Sequence, residues 1–168
     1  MKKLNKQNTQ SLTLALFVIY LLALFWLVLF KLQFSVPIME DGRVINLIPK
    51  IWVFSETVNN VIVFIPFGVY ICMIKDKWSF VKKLMASVGL TVFFEATQFI
   101  FAIGRSDITD VLSNTLGALI GIGAYAMLFK LFKDNTNRKI NAFAALVTVL
   151  AILSVALLLL SNRWVRIR

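Results

Sequence analysis

The chain has 168 residues, 60% of them hydrophobic, and a formal net charge of +10; its mean hydropathy is +0.84. A soluble domain of this length does not need so much apolar sequence, whereas several runs near 20 residues, each able to cross the hydrocarbon core as a helix, account for the excess. The basic surplus does not point to nucleic acid, because the lysines and arginines sit in short segments beside apolar runs, where they serve topology and attraction to anionic headgroups. The absence of histidine removes Ser-His and Cys-His catalysis and imidazole metal ligation, and the single cysteine, Cys72, removes an intramolecular disulfide. Cys72 reads as a small core residue, and no cofactor is expected.

In chain order, the first span is predicted over Ser11–Phe30, after Lys2, Lys3 and Lys6. It is too long for a typical signal-peptide core and lacks a small-x-small cleavage pattern, so it reads as a retained anchor. Lys31–Thr57 is a mixed connection. It contains a turn at Glu40–Arg43 and a short apolar stretch, Ile51–Phe54, expected to lie at the interface or re-enter shallowly with Trp52 at headgroup level. The second span, Val58–Ile74, carries Asn59, Asn60, Pro66 and Gly68; the proline and glycine predict a bend or local unwinding. The third, Leu84–Ile103, contains Glu95 and Gln98. Gly104–Asp110 is predicted as a tight polar turn, Val111–Phe132 as the fourth span, Lys133–Lys139 as a polar loop, and Ala142–Leu160 as the fifth span. Trp26, Trp52, Trp78 and Trp164 read as interfacial anchors. The predicted fold is therefore a single all-α polytopic membrane bundle over residues 1–168, with about five transmembrane helices and an interfacial or re-entrant segment between the first two.

Five spans place the termini on opposite sides. With the N-terminus inside, cytoplasmic segments hold 11 Lys and Arg and external segments hold 7. This bias predicts a cytoplasmic N-terminus and an extracytoplasmic C-terminus.

Because successive spans alternate in direction, Asn59 and Asn60, Glu95 and Gln98, and Asp107, Asp110 and Asn114 all fall toward one membrane side. Glu95 and Gln98 share a helix face at i and i+3. Asp107, Asp110 and Asn114 share another, which continues into Gly117 and Gly121, a G-x-x-x-G spacing that permits close helix approach. Glu95 is about ten residues from the polar turn, so about 15 Å deep at the helical rise. An acid at the bilayer centre costs about 2.5–3.5 kcal/mol on insertion scales. Glu95 should therefore carry a proton or a partner from another span, such as Asn60 or Asn114. Arg105 is better placed for Asp107 and Asp110.

Several of these residues also form an ordered set: Arg43-x-x-Asn46-Leu47-x-Pro49, Asn60-x-x-x-Phe64-x-Pro66-x-Gly68, Glu95-x-x-Gln98, Arg105 with Asp107 and Asp110, and Asn114-x-x-Gly117. The set resembles the VanZ-like family of small bacterial membrane proteins over about residues 43–125, with the predicted fifth helix, 142–160, outside it. The resemblance implies a bacterial cell-membrane setting and a link to resistance against teicoplanin, a lipid-bearing glycopeptide. It supplies no reaction.

Three readings remain open on the sequence. The first is a non-catalytic protein binding a lipid-linked cell-wall precursor or a lipoglycopeptide at the outer face, with Asn60, Glu95, Gln98, Arg105, Asp107, Asp110 and Asn114 as the pocket. The second is an enzyme on an envelope lipid or glycan precursor, with Glu95 as base, Asp107 and Asp110 as weak metal candidates and Arg105 on a phosphate. The third is a small transporter or flippase, which would need a dimer. Beside each stands a plainer reading. Glu95 and Gln98 fix the bundle, the Arg105–Asp110 segment is a solvated turn, and Pro66, Gly68, Gly117 and Gly121 serve packing. Membrane lipids are the expected surroundings in every case.

Overall fold

The computed structural model describes residues 2–30, 45–46, 54–101 and 106–165. Among these, five α-helices run in order: α1 (Lys2–Phe30), α2 (Phe54–Ile74), α3 (Phe80–Phe101), α4 (Ile108–Phe132) and α5 (Thr136–Val165). Two short strands, β1 (Ile45–Asn46) and β2 (Ser106–Asp107), pair in parallel, Ile45 opposite Ser106 and Asn46 opposite Asp107. The connection before α2 is thereby tied to the connection before α4. The predicted turn at Glu40–Arg43, residues 51–53 of the interfacial stretch with Trp52, and Arg105 lie outside the described residues, while Phe54 already opens α2.

Four stretches are long and apolar enough to cross a membrane: Gln7–Leu29, Glu56–Ile74, Phe80–Phe101 and Ile108–Ser161. The last joins α4 and α5. The expected polar loop at Lys133–Lys139 is reduced to one 3-10 turn, Lys133–Asn135, with α5 beginning at Thr136. Thr136 explains the early start: its hydroxyl donates to the Lys133 carbonyl at 2.7 Å and so closes the turn.

α2 is continuous through Pro66, so the local unwinding expected there is not found. Its role is to pack on α4, which runs parallel to it. A Cβ at Gly117 would collide with the Val61 carbonyl oxygen, one at Gly121 with the Ile65 carbonyl oxygen, and one at Gly68 with the Ala118 carbonyl oxygen. Backbone lies on backbone along this seam. That closeness is what small residues give a membrane helix pair, where the apolar effect supplies no drive and contact must come from van der Waals packing. α3 closes the other side. Phe94 meets Phe64 edge-on at 6.2 Å and Phe25 of α1 at 5.0 Å, within a core that includes Leu24, Phe67 and Ala118.

α1 and α5 meet near their starts. The buried Asn141 donates to Thr13 Oγ1 at 2.9 Å and to the Thr9 carbonyl at 3.1 Å. Beyond this clasp α5 leaves the body of the bundle, and every residue from Val149 to Ser161 is exposed. Cys72 is buried, as expected of a small core residue.

Candidate functional site

The polar residues gather where α4 begins. Asp107 has an extended backbone, φ −126° and ψ 127°, and its carboxylate accepts from the Thr109 N–H at 2.8 Å. That is the N-cap arrangement, which satisfies one of the four free donors of a helix start. Asp110 sits three residues on, inside the first turn, where its charge also suits the helix dipole. In the usual reciprocal cap, the acidic side chain at this position would turn back to the N–H of the capping residue. Here the carboxylate of Glu95 does so from another helix, Oε2 accepting the Asp107 N–H at 2.8 Å. Asp110 is thus available to α2, and its Oδ1 accepts from Asn60 Nδ2 at 2.7 Å. The second oxygen of Asp107 accepts from Asn46 Nδ2 at 2.7 Å. One helix start therefore binds α2, α3 and the strand pair together.

This arrangement corrects two expectations. Glu95 does not find its partner in Asn60 or Asn114; a partner is the backbone N–H of Asp107. The polar segment is also not a surface turn far above Glu95. Its residues Ser106 and Asp107 form β2, and the chain folds back from the end of α3 to meet Glu95 less than two turns before that end.

Other side chains fall in the interior nearby. Thr91, Glu95 and Gln98 are spaced to share one face of α3 and are 0%, 9% and 5% exposed; Asn114 on α4 is 2% exposed. Gln98 Nε2 donates to the Val28 carbonyl of α1 at 3.1 Å. Yet Thr91 Oγ1, Gln98 Oε1 and Asn114 Oδ1 are buried with no hydrogen-bond partner among the described residues. A buried unpaired polar atom costs about 1–3 kcal/mol, so three on facing helices call for a water or a ligand donor. Among the described residues no group of three or more acidic or cysteine side chains is arranged to hold a metal. Each of the two metal candidates, Asp107 and Asp110, has an oxygen taken up by an asparagine amide.

The structure thus brings together Asn60, Glu95, Asp107 and Asp110, with Gln98 and Asn114 buried on the same helices. Asn59 is exposed. Sequence reasoning passed over Asn46 and Thr91 as site residues. Asn46 stands in the ordered motif next to Leu47, and Thr91 lies one turn before Glu95 on its face; both positions were signals.

A bundle of long apolar helices carrying a half-buried, acid- and amide-rich junction at one end defines a multi-helix membrane protein with a polar site. Residues 17–133 match the VanZ/LLP1 family. The chain is also 36% identical to Protein VanZ of Enterococcus faecium over 146 residues, which cover 84% of this chain and 91% of that protein. The chain belongs to the VanZ/LLP1 family. No solved structure matches it.

Proposed function

We propose that this protein binds the polar part of a lipid-linked cell-wall precursor or of a lipoglycopeptide at the outer face of the bacterial membrane, and so contributes to teicoplanin resistance. The observation that carries the reading is the set of three buried, unpaired oxygens, two on the Glu95 helix and one on the neighbouring α4. Two of them belong to amides and accept hydrogen bonds, and the threonine hydroxyl accepts and donates. Such a set suits a ligand rich in hydroxyl, amide or ammonium donors. Gln98 also ties α3 to α1 through its amide nitrogen, but packing alone leaves its oxygen and those of Thr91 and Asn114 unmet.

The Glu95→Gln substitution keeps shape and hydrogen-bonding capacity but removes ionisation. We expect it to lower teicoplanin resistance of expressing cells toward the vector level at unchanged membrane abundance, measured by susceptibility and immunoblot. Full resistance in this variant, with Asp107→Asn and Asp110→Asn also silent, would overturn the ionic site. Turnover of a labelled lipid precursor by the purified protein, lost in Glu95→Gln, would replace binding by catalysis.

In this reading the chain crosses five times, α4 and α5 separately, with its N-terminus cytoplasmic and its C-terminus outside. The exposed turn residue Asp134 tests it. In a Cys72→Ser background, Asp134→Cys should react with a membrane-impermeant thiol reagent only after permeabilisation. Labelling of intact cells would reverse the orientation.

A further inference from the structure

On the side of the bundle opposite the α2–α4–α3 junction, the departure of α5 leaves an apolar groove of about 960 Å³. Its walls come from α1, α2, the end of α4 and one continuous face of α5, with Trp26, Pro66, Tyr70, Phe132 and Val155 among them. Two hydroxyls in the wall are satisfied internally: Tyr20 donates to the Val63 carbonyl at 2.9 Å, and Thr148 to the Ala144 carbonyl at 2.8 Å. The charged residue among those lining it is Lys139, at the end where α5 starts. Lys139 Nζ stands 3.7 Å from the centroid of the Phe132 ring, which holds the ammonium at the mouth.

The surroundings of that mouth are basic. Lys130, Lys133 and Arg138, close to Lys139 in the chain, are exposed with Asp134, and the exposed turn after α2 at the same end adds Lys75 and Lys77 against Asp76. From Lys139 to Val155 the α5 wall is about 24 Å long at the helical rise, against a hydrocarbon core about 30 Å thick. An apolar chain entering at Lys139 would therefore find apolar wall past the midplane. Unfilled apolar space of this size is foreign to a packed protein, since its lining would lose its contacts.

We infer that this groove is a binding site for one anionic phospholipid, drawn from the leaflet on the N-terminal side, with its phosphate at Lys139 and a hydrocarbon tail between α5 and the α1–α2 wall. The walls are otherwise apolar, with the Tyr70 hydroxyl and Lys139 as their polar groups besides the internally bonded Tyr20 and Thr148, so the buried part of the occupant is mainly hydrocarbon. The cations at one end select an anionic head. The site is separate from the polar junction at the start of α4 and does not depend on the function proposed for it.

The test uses the full chain in nanodiscs of phosphatidylglycerol, phosphatidylcholine or their mixture, with retained lipid counted by native mass spectrometry after transfer to detergent. The expected result is about one retained lipid per protomer, with phosphatidylglycerol preferred about fivefold, in keeping with one lysine at an anionic surface. Lys139→Glu should abolish the preference. Lys77→Glu, a surface charge change outside the groove, should leave it intact. Ala151→Trp, which fills the groove, should remove retention of both lipids. Equal retention of the two lipids by the wild type, or a loss in Lys77→Glu as large as in Lys139→Glu, would overturn the site. So would disulfide-linked dimers from Ala151→Cys in a Cys72→Ser background, because a second copy would then occupy the groove.

Discussion

Gly117→Leu and Gly121→Leu are each expected to destabilise the bundle by about 3 kcal/mol or more, the upper range for overpacking a tight interior. At both positions the first atom a side chain meets is a carbonyl oxygen of α2, at Val61 and at Ile65. A flexible side chain can swing aside; a helical carbonyl cannot move without its own helix. The α2–α4 seam would have to open along its length, with the site at its head losing its register. The controls are built into the chain. Gly89 and Gly123 are exposed helical glycines with nothing within 4 Å of a built Cβ. Gly89→Leu and Gly123→Leu should stay within about 1 kcal/mol of the parent, shifted toward stability because leucine is the better helix former. Reversible unfolding in mixed micelles checks all four. Equal effects at the two pairs would mean that the seam is not what holds these helices.

The second large effect is expected at Asp107, whose carboxylate serves two partners at once. Asp107→Ala loses the cap on Thr109 and strands the Asn46 amide. We expect a loss of about 1.5–2.5 kcal/mol, from about 1 for the cap and about 0.5–1.5 for the half-buried hydrogen bond to Asn46. Asp107→Ser should recover most of the cap and none of the reach to Asn46. Asp107→Asn should also cap, but its single acceptor oxygen cannot replace two carboxylate oxygens, so it too falls between alanine and the parent. The order alanine, then serine and asparagine, then aspartate is the signature. If all three variants lose the same stability, the cap contributes nothing separable from the bridge to Asn46.

The helices were largely legible in the sequence, since apolar runs of membrane length admit little else. Their pairing was less so. The Gly117–Gly121 spacing announced a close approach but not its partner, because any helix of small width would fit; Val61 and Ile65 carry no mark of being the other side. Pro66 and Gly68 read as a bend or local unwinding, yet α2 continues through Pro66 with α4 packed alongside, and Gly68 serves that packing. The gathering of Asn60, Glu95, Asp107 and Asp110 on one side followed from counting spans alone. The partner of Glu95 did not. A depth counted along a straight helix put it out of reach of the polar segment, and no side-chain pattern reveals that the chain after α3 turns back into the bundle. The donor that meets Glu95 is main chain, which every residue owns and which therefore leaves no trace in composition.

The clasp between Thr13 and Asn141 joins positions 128 residues apart. During synthesis α1 is in place long before its partner exists, because α5 leaves the ribosome after the other four helices. The seam of α2 with α4 and the cap from Glu95 need no residue beyond α4, so they are complete while α5 is still being made. Assembly thus has a built-in order, α1 to α4 first and α5 closing onto α1 afterward. A chain stopped between Phe132 and Asn141 would keep the polar junction and lack the groove, which makes the two sites separable in time as well as in space.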